Sequence, residues 1–385
     1  MCDKLAHLKV KPKRINFISI QNSHTVACDG YATLPVRTGY EQAVSHRVGS
    51  GYCNIAEEDG VIESIVEGQG GVLRYKNGST LGFILGRRFG KAGGQTIPHE
   101  MSTTFKVGDK VKAGEVVSFN SGWFEPDYFN KGQVLYKAGT IATVALVETK
   151  QTHEDACTIT EKFSRRLGTK LTKVKKVRLE FQDVLTNLVK IGQEVDFETP
   201  LVLIQDEMTA NLGVFNADTI ATLASMSQQA PTAKVRGIVE KIEVFYHGSK
   251  DDMSASVRAL ANYGDKLLLT QAKATDVPVF TGSTDESYRV DGDPLLPGTM
   301  CVVFYITDHV TAGIADKVVF ASQMKSIISE VADYEIVSES GIEVDAFFGA
   351  YSIFKRIVNS PFSMGTTTVL MQLGARHALK MYRGK

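Results

Sequence analysis

Short segments in which apolar and polar residues alternate recur along the chain, and they predict β-strands. Residues 60–67 alternate in this way, and so do residues 176–181, whose charged side chains all fall on one face. Residues 235–245 predict another long strand, and the Asn77-Gly78 pair predicts a hairpin turn. The pattern therefore predicts a mixed α/β protein that is dominated by β-structure.

Helical periodicity is confined to a few segments. It predicts helices at about residues 217–226, at about residues 252–262 and in a final stretch near residues 366–382. The last helix would carry an apolar side that is formed by Leu370, Leu373, Ala378 and Met381.

Residues 105–117 and residues 188–203 have related sequences. Each predicts a strand, a turn centred on Gly, a short strand, a second turn and a strand. This hammerhead-like pattern belongs to several folded-over β modules. Such turns require backbone conformations that favour glycine, so the pattern favours a structural role for these glycines.

Composition limits the classes of function that fit the chain. At 385 residues it can bury a sizeable core and is expected to hold two or three subdomains. Its 43 basic residues balance 43 acidic ones, so a nucleic-acid contact would have to come from a local basic patch. The five cysteines include no Cys-x-x-Cys pair, which argues against structural zinc and a disulfide framework and favours a reducing, intracellular setting.

The apolar segments are too short to suggest a membrane protein. None approaches the roughly 20 residues that a membrane-spanning helix needs, and residues 1–13 have no apolar signal core. We therefore expect a soluble protein. The sequence also lacks the serine-hydrolase, zinc-protease, dinucleotide-binding and kinase signatures, as well as a cluster of three aspartates for two catalytic magnesium ions. Any phosphoryl chemistry would need metal ions supplied from elsewhere.

Two lysines near the C-terminus, Lys317 and Lys325, are the first candidates for binding a polyanion. An apolar run at residues 300–306 predicts a strand that leads to a loop holding Lys317, and Lys325 opens the next strand. Two fixed ammonium groups at this separation suit regularly spaced phosphates, although most lysines are simply solvated.

A second basic cluster combines Arg87, Arg88 and Lys91 in a Gly-rich segment that ends at Gly94. This segment follows a strand and opens no helix, so it predicts a loop that could cradle phosphates and is not a Walker loop. A third basic cluster contains Lys355 and Arg356.

An acidic pair, Glu154 and Asp155, follows His153. Neighbouring carboxylates in a loop can diverge to meet a metal or orient a cation. Most such pairs are surface groups without a further role.

Several of these motifs follow one another in a defined order along the chain. They are residues 60–65, 91–100, 107–116, 154–155, 237–242, 297–298 and 316–325, followed by Asp345 and Arg356. In this order they resemble the C-terminal half of the β subunit of multi-subunit DNA-directed RNA polymerases, over roughly residues 30 to 360.

The chain departs from that family in informative ways. The family has Arg-His-Gly between its two lysines, where this chain has Ala321-Ser322-Gln323. The N-terminal half of the β subunit, with its lobe and protrusion, has no counterpart, and neither has the C-terminal clamp anchor. A β subunit that is divided among separate polypeptides looks like those of giant bacteriophages. The resemblance then implies a location in the infected bacterial cytoplasm or in the virion.

The resemblance also implies a fold and a division into domains. Residues 71–182 and 297–360 would form a hybrid-binding double-psi β-barrel, and residues 183–296 would form an inserted wall and reduced flap-like module. Residues 1–70 would be an N-terminal segment, and residues 361–385 a C-terminal assembly helix.

The function that the resemblance implies is nucleotidyl transfer within a multi-subunit enzyme. Lys317 and Lys325 would contact phosphates at the RNA 3′ end and on the incoming nucleotide. Glu154 and Asp155 would lie near a magnesium ion without being its main ligands. By the same resemblance Lys91, with Arg88 or Arg87, would lie close to the incoming triphosphate, and Arg356 would hold the barrel or the RNA–DNA hybrid.

The partners follow from the same resemblance. A β′-like subunit would hold the catalytic Mg²⁺ with three aspartates, and an N-terminal β-like polypeptide would complete the β subunit. Template DNA, the RNA transcript and nucleoside triphosphates would be bound, and no membrane is involved. The chain alone would be inactive.

Two other classes of function remain open from the sequence. The hammerhead-like repeat also occurs in biotinyl and lipoyl carrier domains and in adaptor proteins, although no Met-Lys-Met triplet occurs here. Balanced charge and rich β-content also suit a virion structural protein.

Overall fold

The computed structural model describes residues 25–33, 37, 39–92, 95–137, 139–205, 230–279, 281–320, 324–339, 341–355 and 360–384. These residues are mostly β-structure, with a half-barrel sheet and a C-terminal helix. The predicted class, mixed and dominated by β-structure, is confirmed. The helix predicted near residues 217–226 and the candidate Arg356 lie outside the described residues.

The strands of the first half of the chain are β1 (Tyr31–Ala32), β2 (Cys53–Ile55), β3 (Gly60–Val66), β4 (Gly70–Tyr75), β5 (Thr80–Ile84), β6 (Gly86–Ala92), β7 (Gln95–Ser102), β8 (Lys110–Val111), β9 (Val116–Asn120), β10 (Phe124–Pro126), β11 (Val134–Tyr136), β12 (Gly139–Thr140), β13 (Val144–Leu146), β14 (Ala156–Thr160) and β15 (Thr169–Glu180). Those that follow are β16 (Val184–Thr186), β17 (Glu194–Val195), β18 (Leu203–Gln205), β19 (Gly237–His247), β20 (Arg289–Val290), β21 (Asp293–Pro294), β22 (Thr299–Val310), β23 (Lys317–Phe320), β24 (Met324–Ala332) and β25 (Ala346–Phe348). The helices are α1 (Tyr40–Ala43), α2 (Glu161–Arg166), α3 (Ala255–Thr275), α4 (Ala350–Lys355) and α5 (Ser360–Tyr382), with short 3₁₀ turns at Val44–His46 and Lys250–Asp252.

Three sheets organise the described chain. The largest has the strand order β17-β19-β22-β15-β7-β9-β2, with β6 paired to β7. A five-stranded sheet has the order β13-β25-β14-β24-β23, and a four-stranded sheet the order β5-β4-β3-β8. The long strands β15 and β22 pair antiparallel along their whole length, from Thr169 opposite Val310 to Glu180 opposite Thr299.

The strands that alternation predicted are present. Strand β3 matches residues 60–67, β15 contains residues 176–180, and β19 covers most of residues 235–245. Strands β4 and β5 form the antiparallel hairpin expected around Asn77-Gly78, where Gly78 has a φ of 90°. Period-two patterns identify these strands because one face of each is buried and the other is not.

The helix expected at residues 252–262 is longer than predicted and begins later. Ser254 caps α3 by accepting a hydrogen bond from the amide of Val257, and the helix continues to Thr275. Its interior Gly264 lies against Val244, where a Cβ would come within 2.9 Å of that side chain. Gly264 weakens the helical signal in the sequence, but its close packing on β19 allows the helix to continue through it.

The Gly-centred turns of the hammerhead-like repeat are confirmed, whereas residues 105–107 and 188–190, expected to form the first strand of each unit, do not lie in strands. The amide of Gly108 donates to the carbonyl of Ile62 at 2.8 Å, and the amide of Gly192 donates to that of Val239 at 2.7 Å. Both glycines have a positive φ, 89° and 87°. The glycines thus have the backbone role that the sequence suggested.

The repeat also includes the partner strands of the two turns. Short strand β8 pairs with β3 so that Val111 lies opposite Gly60, and β17 pairs with β19 so that Val195 lies opposite Gly237. In the first unit the partner strand precedes the turn in the chain, and in the second it follows. Equivalent contacts therefore join segments whose order along the chain is reversed.

We expect Gly108→Ala to lower the free energy of unfolding by about 1 kcal/mol, because a left-handed conformation crowds Cβ against the backbone. No atom lies within 4 Å of the position that this Cβ would take, so the cost is conformational rather than steric. Urea titration measures it. The control Gly49→Ala adds a Cβ in equally open space without a positive φ, and it should change stability by less than about 0.5 kcal/mol. Equal effects of the two variants would contradict the conformational explanation.

The segment expected to be an insertion, residues 183–296, shares its core with the long strands. Strands β17 and β19 lie in the same sheet as β15 and β22, and α3 packs on that sheet. The shared core contains Phe304 and Val302 from β22, Leu179 from β15 and Val257 from α3. In the described chain, β17 and β19 of this segment thus continue the largest sheet, whereas β16 with β18 and β20 with β21 form separate two-stranded sheets.

Candidate functional site

The two candidate lysines lie on one antiparallel hairpin, formed by β23 and β24. Lys317 lies opposite Ile327, and Val319 lies opposite Lys325. Opposite residues project to the same face of a sheet, so all four side chains share one face. All four are exposed. The two lysines occupy one diagonal of this square, and diagonal neighbours are about 7–8 Å apart with their Cβ atoms somewhat closer.

Lys317 was predicted to lie in a loop, but it lies in a strand. Lys317 is the first residue of β23, and the preceding turn docks on β24: Ala315 donates its amide to Ile328, and Ile328 donates its amide to Asp316. Ala315 has a φ of 75°, and the Asp316 carboxylate accepts from the amide of Gly313 at 2.8 Å. The placement of Lys325 near the start of the next strand is confirmed, since β24 begins at Met324. Both ammonium groups therefore extend from a paired backbone.

The opposite face of this hairpin is buried. Met324 and Ile328 pack in a cluster with Cys157 and Ile159 of β14 and with Phe348 of β25. Successive side chains in a strand point to opposite faces, so the neighbours of each lysine point into this core. Their packing holds the backbone of the exposed face in place.

Neither ammonium is neutralised within the described chain. No carboxylate of the described residues forms an ion pair with Lys317 or Lys325, whereas Arg74, Lys76 and other surface cations have such partners. The face thus presents two uncompensated positive charges around a small apolar patch formed by Val319 and Ile327. An anion of matching spacing would gain charge-assisted hydrogen bonds here.

The acidic pair lies beside this hairpin. Glu154 and Asp155 end the turn that enters β14, and Ala156 of β14 pairs with Ile327. The carbonyl of Asp155 accepts from the amide of Ile327 at 3.0 Å and from the Ser326 hydroxyl at 2.8 Å. Since adjacent strands are about 4.8 Å apart, the start of β14 lies about 10 Å from Lys317. The fold therefore brings these sequence-predicted residues into one neighbourhood.

The turn that carries the acidic pair has an unusual backbone. Glu154 has a φ of 56°, in the left-handed region, and its carbonyl accepts a hydrogen bond from the Ser352 hydroxyl. Upstream, the Thr152 hydroxyl donates to the carbonyl of Val147 at 2.7 Å. One hydroxyl group on α4 and one within the turn itself thus hold the turn in place.

These carboxylates do not form a resident metal site. Among the described residues no group of three or more His, Cys, Asp or Glu side chains is close enough to hold a metal ion. Both Glu154 and Asp155 are exposed. The donor set of the described residues therefore does not fit a resident magnesium ion.

The Gly-rich basic segment is a strand and not the predicted phosphate loop. Strand β6 pairs with β7 from Gly86 opposite Met101 to Ala92 opposite Gln95. Pairing with β7 uses backbone groups that a phosphate-binding loop would have to leave free. Residues 93–94 and the side chain of Lys91 lie outside the described residues.

The arginines of this strand lie in the largest sheet, away from the sheet of the two lysines. Arg87 forms ion pairs with Glu100 at 3.2 Å and with Glu240 at 3.6 Å. Arg88 lies near Gly51 and contributes electrostatically to the environment of His99. Arg87 is therefore compensated within the fold, in contrast to Lys317 and Lys325.

His99 is buried beneath this strand. The Asn120 amide donates to its Nδ1 at 2.8 Å, and the same amide's oxygen accepts from the backbone of Gly122. Burial lowers the pKa of His99 below 6.5, and the nearby charge of Arg88 lowers this pKa further. The neutral imidazole is the form that this environment favours.

We expect acid to destabilise the fold through His99. Below about pH 6.5 the unfolded chain binds a proton that the folded chain still excludes, so the free energy of unfolding falls as the pH falls towards the folded-state pKa. This contribution is fully present above about pH 6.5. Urea titrations across this range, in parallel with His99→Gln, should show a shallower acid dependence for the variant. Identical pH profiles would contradict the assignment.

Asp345 has a structural position beside α2. Its carboxylate accepts from Arg166 at 3.0 Å and from the amide of Thr143 at 2.8 Å, and its carbonyl accepts from Thr160. These contacts fix the entry of β25 next to β14. The candidate that the resemblance paired with it, Arg356, lies outside the described residues.

Sequence reasoning missed the residues that position the charged groups. Ser326 and Ser352 hold the turn of the acidic pair, and Val319 and Ile327 separate the two lysines. The alternation of buried and exposed positions over residues 324–328 could have predicted that Ile327 shares a face with Lys325. The serine contacts join segments more than 170 residues apart and leave no local signal.

Comparisons with known proteins give no family for the chain. No protein-family model matches it, and no curated protein matches it significantly. Among the described residues, no helix has both the length and the apolar character that crossing a membrane requires.

Proposed function

We propose that the chain is a β-like subunit of a multi-subunit DNA-dependent RNA polymerase, corresponding to the C-terminal half of that subunit. The observation that carries the proposal is the common exposed face of Lys317 and Lys325, with neither ammonium compensated by a described carboxylate. The order of the motifs along the chain is the reason for proposing this family. The uncompensated lysine pair independently supports binding of phosphates.

The lysines act on phosphates by position and charge. Two lysines at diagonal positions about 7–8 Å apart reach phosphates of one nucleotide or of adjacent nucleotides. Nucleotidyl transfer depends on aligning the attacking and leaving oxygens and on stabilising negative charge in the transition state. Rigid backbone pairing around both lysines favours this role, because the charges need little reorganisation when the reaction occurs.

Other polypeptides complete the centre. The proposal assigns the catalytic Mg²⁺ to a β′-like partner with three aspartates, and the magnesium ions supply charge stabilisation when bound. Glu154 and Asp155 lie at the margin of that site and orient water or the partner's ligands. In the finer version of the proposal, the five-stranded sheet and the long strands β15 and β22 belong to a double-psi β-barrel.

Reconstitution tests this division of labour. The purified chain, incubated with an RNA–DNA scaffold, nucleoside triphosphates and Mg²⁺, should extend no RNA. The complex that it forms with co-purifying chains, one of which carries an Asp-Phe-Asp-Gly-Asp motif, should extend RNA on the same scaffold. Synthesis by the chain alone would refute the shared centre, and an inactive complex that lacks such a partner would refute the polymerase assignment.

A second candidate function rests on the repeated hammerhead-like turns. Two equivalent units around Gly108 and Gly192 favour an adaptor or carrier built on a barrel-sandwich module. A carrier would hold a covalent cofactor on a lysine, which the intact mass of protein from its native source would reveal. An unmodified mass, together with polymerase-like partners, would favour the first proposal.

A further inference from the structure

The C-terminal helix α5 is exposed along its described length. It spans Ser360–Tyr382, about 34 Å at 1.5 Å per residue, and apart from Thr368 every side chain described in it is exposed. Large apolar side chains are among them, with Leu370 63% and Met381 71% exposed. Phe362 contacts Phe354 of α4 at a ring-centroid distance of 5.9 Å. A helix this apolar is normally covered.

The sequence of α5 is poorly suited to an isolated helix in water. Gly365 and Gly374 each cost about 1 kcal/mol relative to alanine, and the consecutive threonines 366–368 have restricted side-chain rotamers in a helix. Isolated helices of this size are marginal even with good helix formers. Contacts with another surface must therefore contribute to its stability.

The charge of this region indicates the kind of surface. Residues 346–385 contain six lysine and arginine residues and no aspartate or glutamate. Arg376, Lys380 and Arg383 follow one another at spacings of four and three residues, so they form a stripe along the last turns of the helix. None of these three forms an ion pair with a carboxylate of the described residues.

We propose that α5 docks in an apolar groove, edged by carboxylates, on a different polypeptide. The groove receives the uncharged part of the helix before residue 376, and its acidic edge meets the basic stripe. A helix in a groove is a common mode of protein recognition, and complementary charge fixes its orientation. The inference goes beyond the proposed function, because it holds for any assembly that contains this chain.

Two other occupants fit the same helix less well. A second copy of α5 supplies no carboxylate in either orientation, so the stripes would repel or stay unpaired. Helices that lie on membranes separate an apolar face from a polar one, whereas α5 has apolar side chains on opposite sides, for example Leu370 and Leu379.

Cross-linking and hydrogen exchange on the native complex test the proposal. The complex is isolated from its native source through a tag at the N-terminus, and it is treated with a carbodiimide, which joins an amine directly to a carboxylate. We expect Lys380 to be linked to aspartate or glutamate of a different polypeptide. Amides of residues 360–382 should exchange at least 10-fold more slowly in the complex than in the isolated chain.

Variants separate the apolar and charged contributions. Leu370→Asp with Leu373→Asp, and separately Arg376→Glu with Lys380→Glu and Arg383→Glu, should each reduce recovery of the complex at least 10-fold. The matched controls are Val107→Asp, at an exposed apolar position, and Lys106→Glu with Lys110→Glu and Lys112→Glu, in an exposed basic turn. Both controls should leave recovery within about 2-fold of wild type. Because α5 lies outside the described cores, its variants should unfold at the wild-type temperature.

Several results would overturn the proposal. Slow exchange of α5 in the isolated chain, together with a dimer in light scattering, would show that a second copy covers the helix, and binding of the isolated chain through α5 to vesicles of phosphatidylcholine and phosphatidylglycerol would show that a membrane does. Cross-links of Lys380 confined to its own chain, or full recovery of the complex with both sets of helix variants, would also contradict the proposal.

Discussion

In the proposed polymerase, we expect Lys317→Ala and Lys325→Ala each to lower the rate of nucleotide addition about 10²-fold. Each ammonium extends from a paired strand over a buried core, and no described carboxylate neutralises it. Loss of one pre-positioned charge at a developing negative charge typically costs 10²–10³-fold in rate. Rapid-quench extension of a labelled RNA primer measures this step directly.

The double variant distinguishes joint action from independent action. If both lysines act on the same phosphates, the double variant should lose less than the product of the two single effects. The matched control is Lys110→Ala, which removes an exposed lysine from β8, next to the Gly108 turn, and should leave the rate unchanged.

Assembly must remain intact for this test to be decisive. Both lysines are exposed, so their truncation should alter neither the thermal unfolding of the chain nor its recovery in the complex. A variant complex that elongates RNA at the wild-type rate would remove that lysine from the catalytic centre. Loss of rate that is accompanied by loss of the complex would instead show that the lysine serves assembly.

The second large effect concerns the sheet that leads to the site. We expect Phe304→Ala to lower the free energy of unfolding by about 3–5 kcal/mol, the usual range for removing a buried aromatic ring. Phe304 is 0% exposed and lies on β22 between Lys175 of β15 and Ile242 of β19. It therefore packs where strands from distant parts of the chain meet. Urea titration followed by circular dichroism measures the change.

A nearby leucine provides the control for this prediction. Leu296, which is 61% exposed, precedes β22, and Leu296→Ala should change stability by less than about 0.5 kcal/mol. If Phe304→Ala cost no more than the control, Phe304 would not belong to the common core of β15, β19 and β22.

Patterns along the sequence anticipated much of the local structure. Alternation located β3 and β19, and Asn77-Gly78 located a hairpin, because each signal is contained within a few neighbouring residues. The same reasoning put Lys317 in a loop and Arg87 in a phosphate cradle, and both lie in strands. In each case the partner strand decides the outcome, and a short segment with several glycines or charges does not reveal its partner.

The sequence predicted only part of the candidate site. Lys317 and Lys325 were identified as a pair, but their common face follows from the register that sets Lys317 opposite Ile327. A shift of one residue in that register would put the lysines on opposite faces. The pairing of Asp155 with β24 joins segments far apart in the chain, so no local pattern encodes it.

Residue types and their spacing are enough to predict that this protein is rich in short strands, that it repeats a Gly-centred turn, and that residues 346–385 are basic and contain no acidic residue. These properties depend on residue type and spacing over a few positions, and hydrophobic periodicity and backbone preference act at that range. Tertiary structure decided which strands pair, which face each lysine occupies, and that the two repeat units are assembled in opposite chain order. Those outcomes depend on packing between distant segments, because burial of one face selects a register only when the partner strand is present.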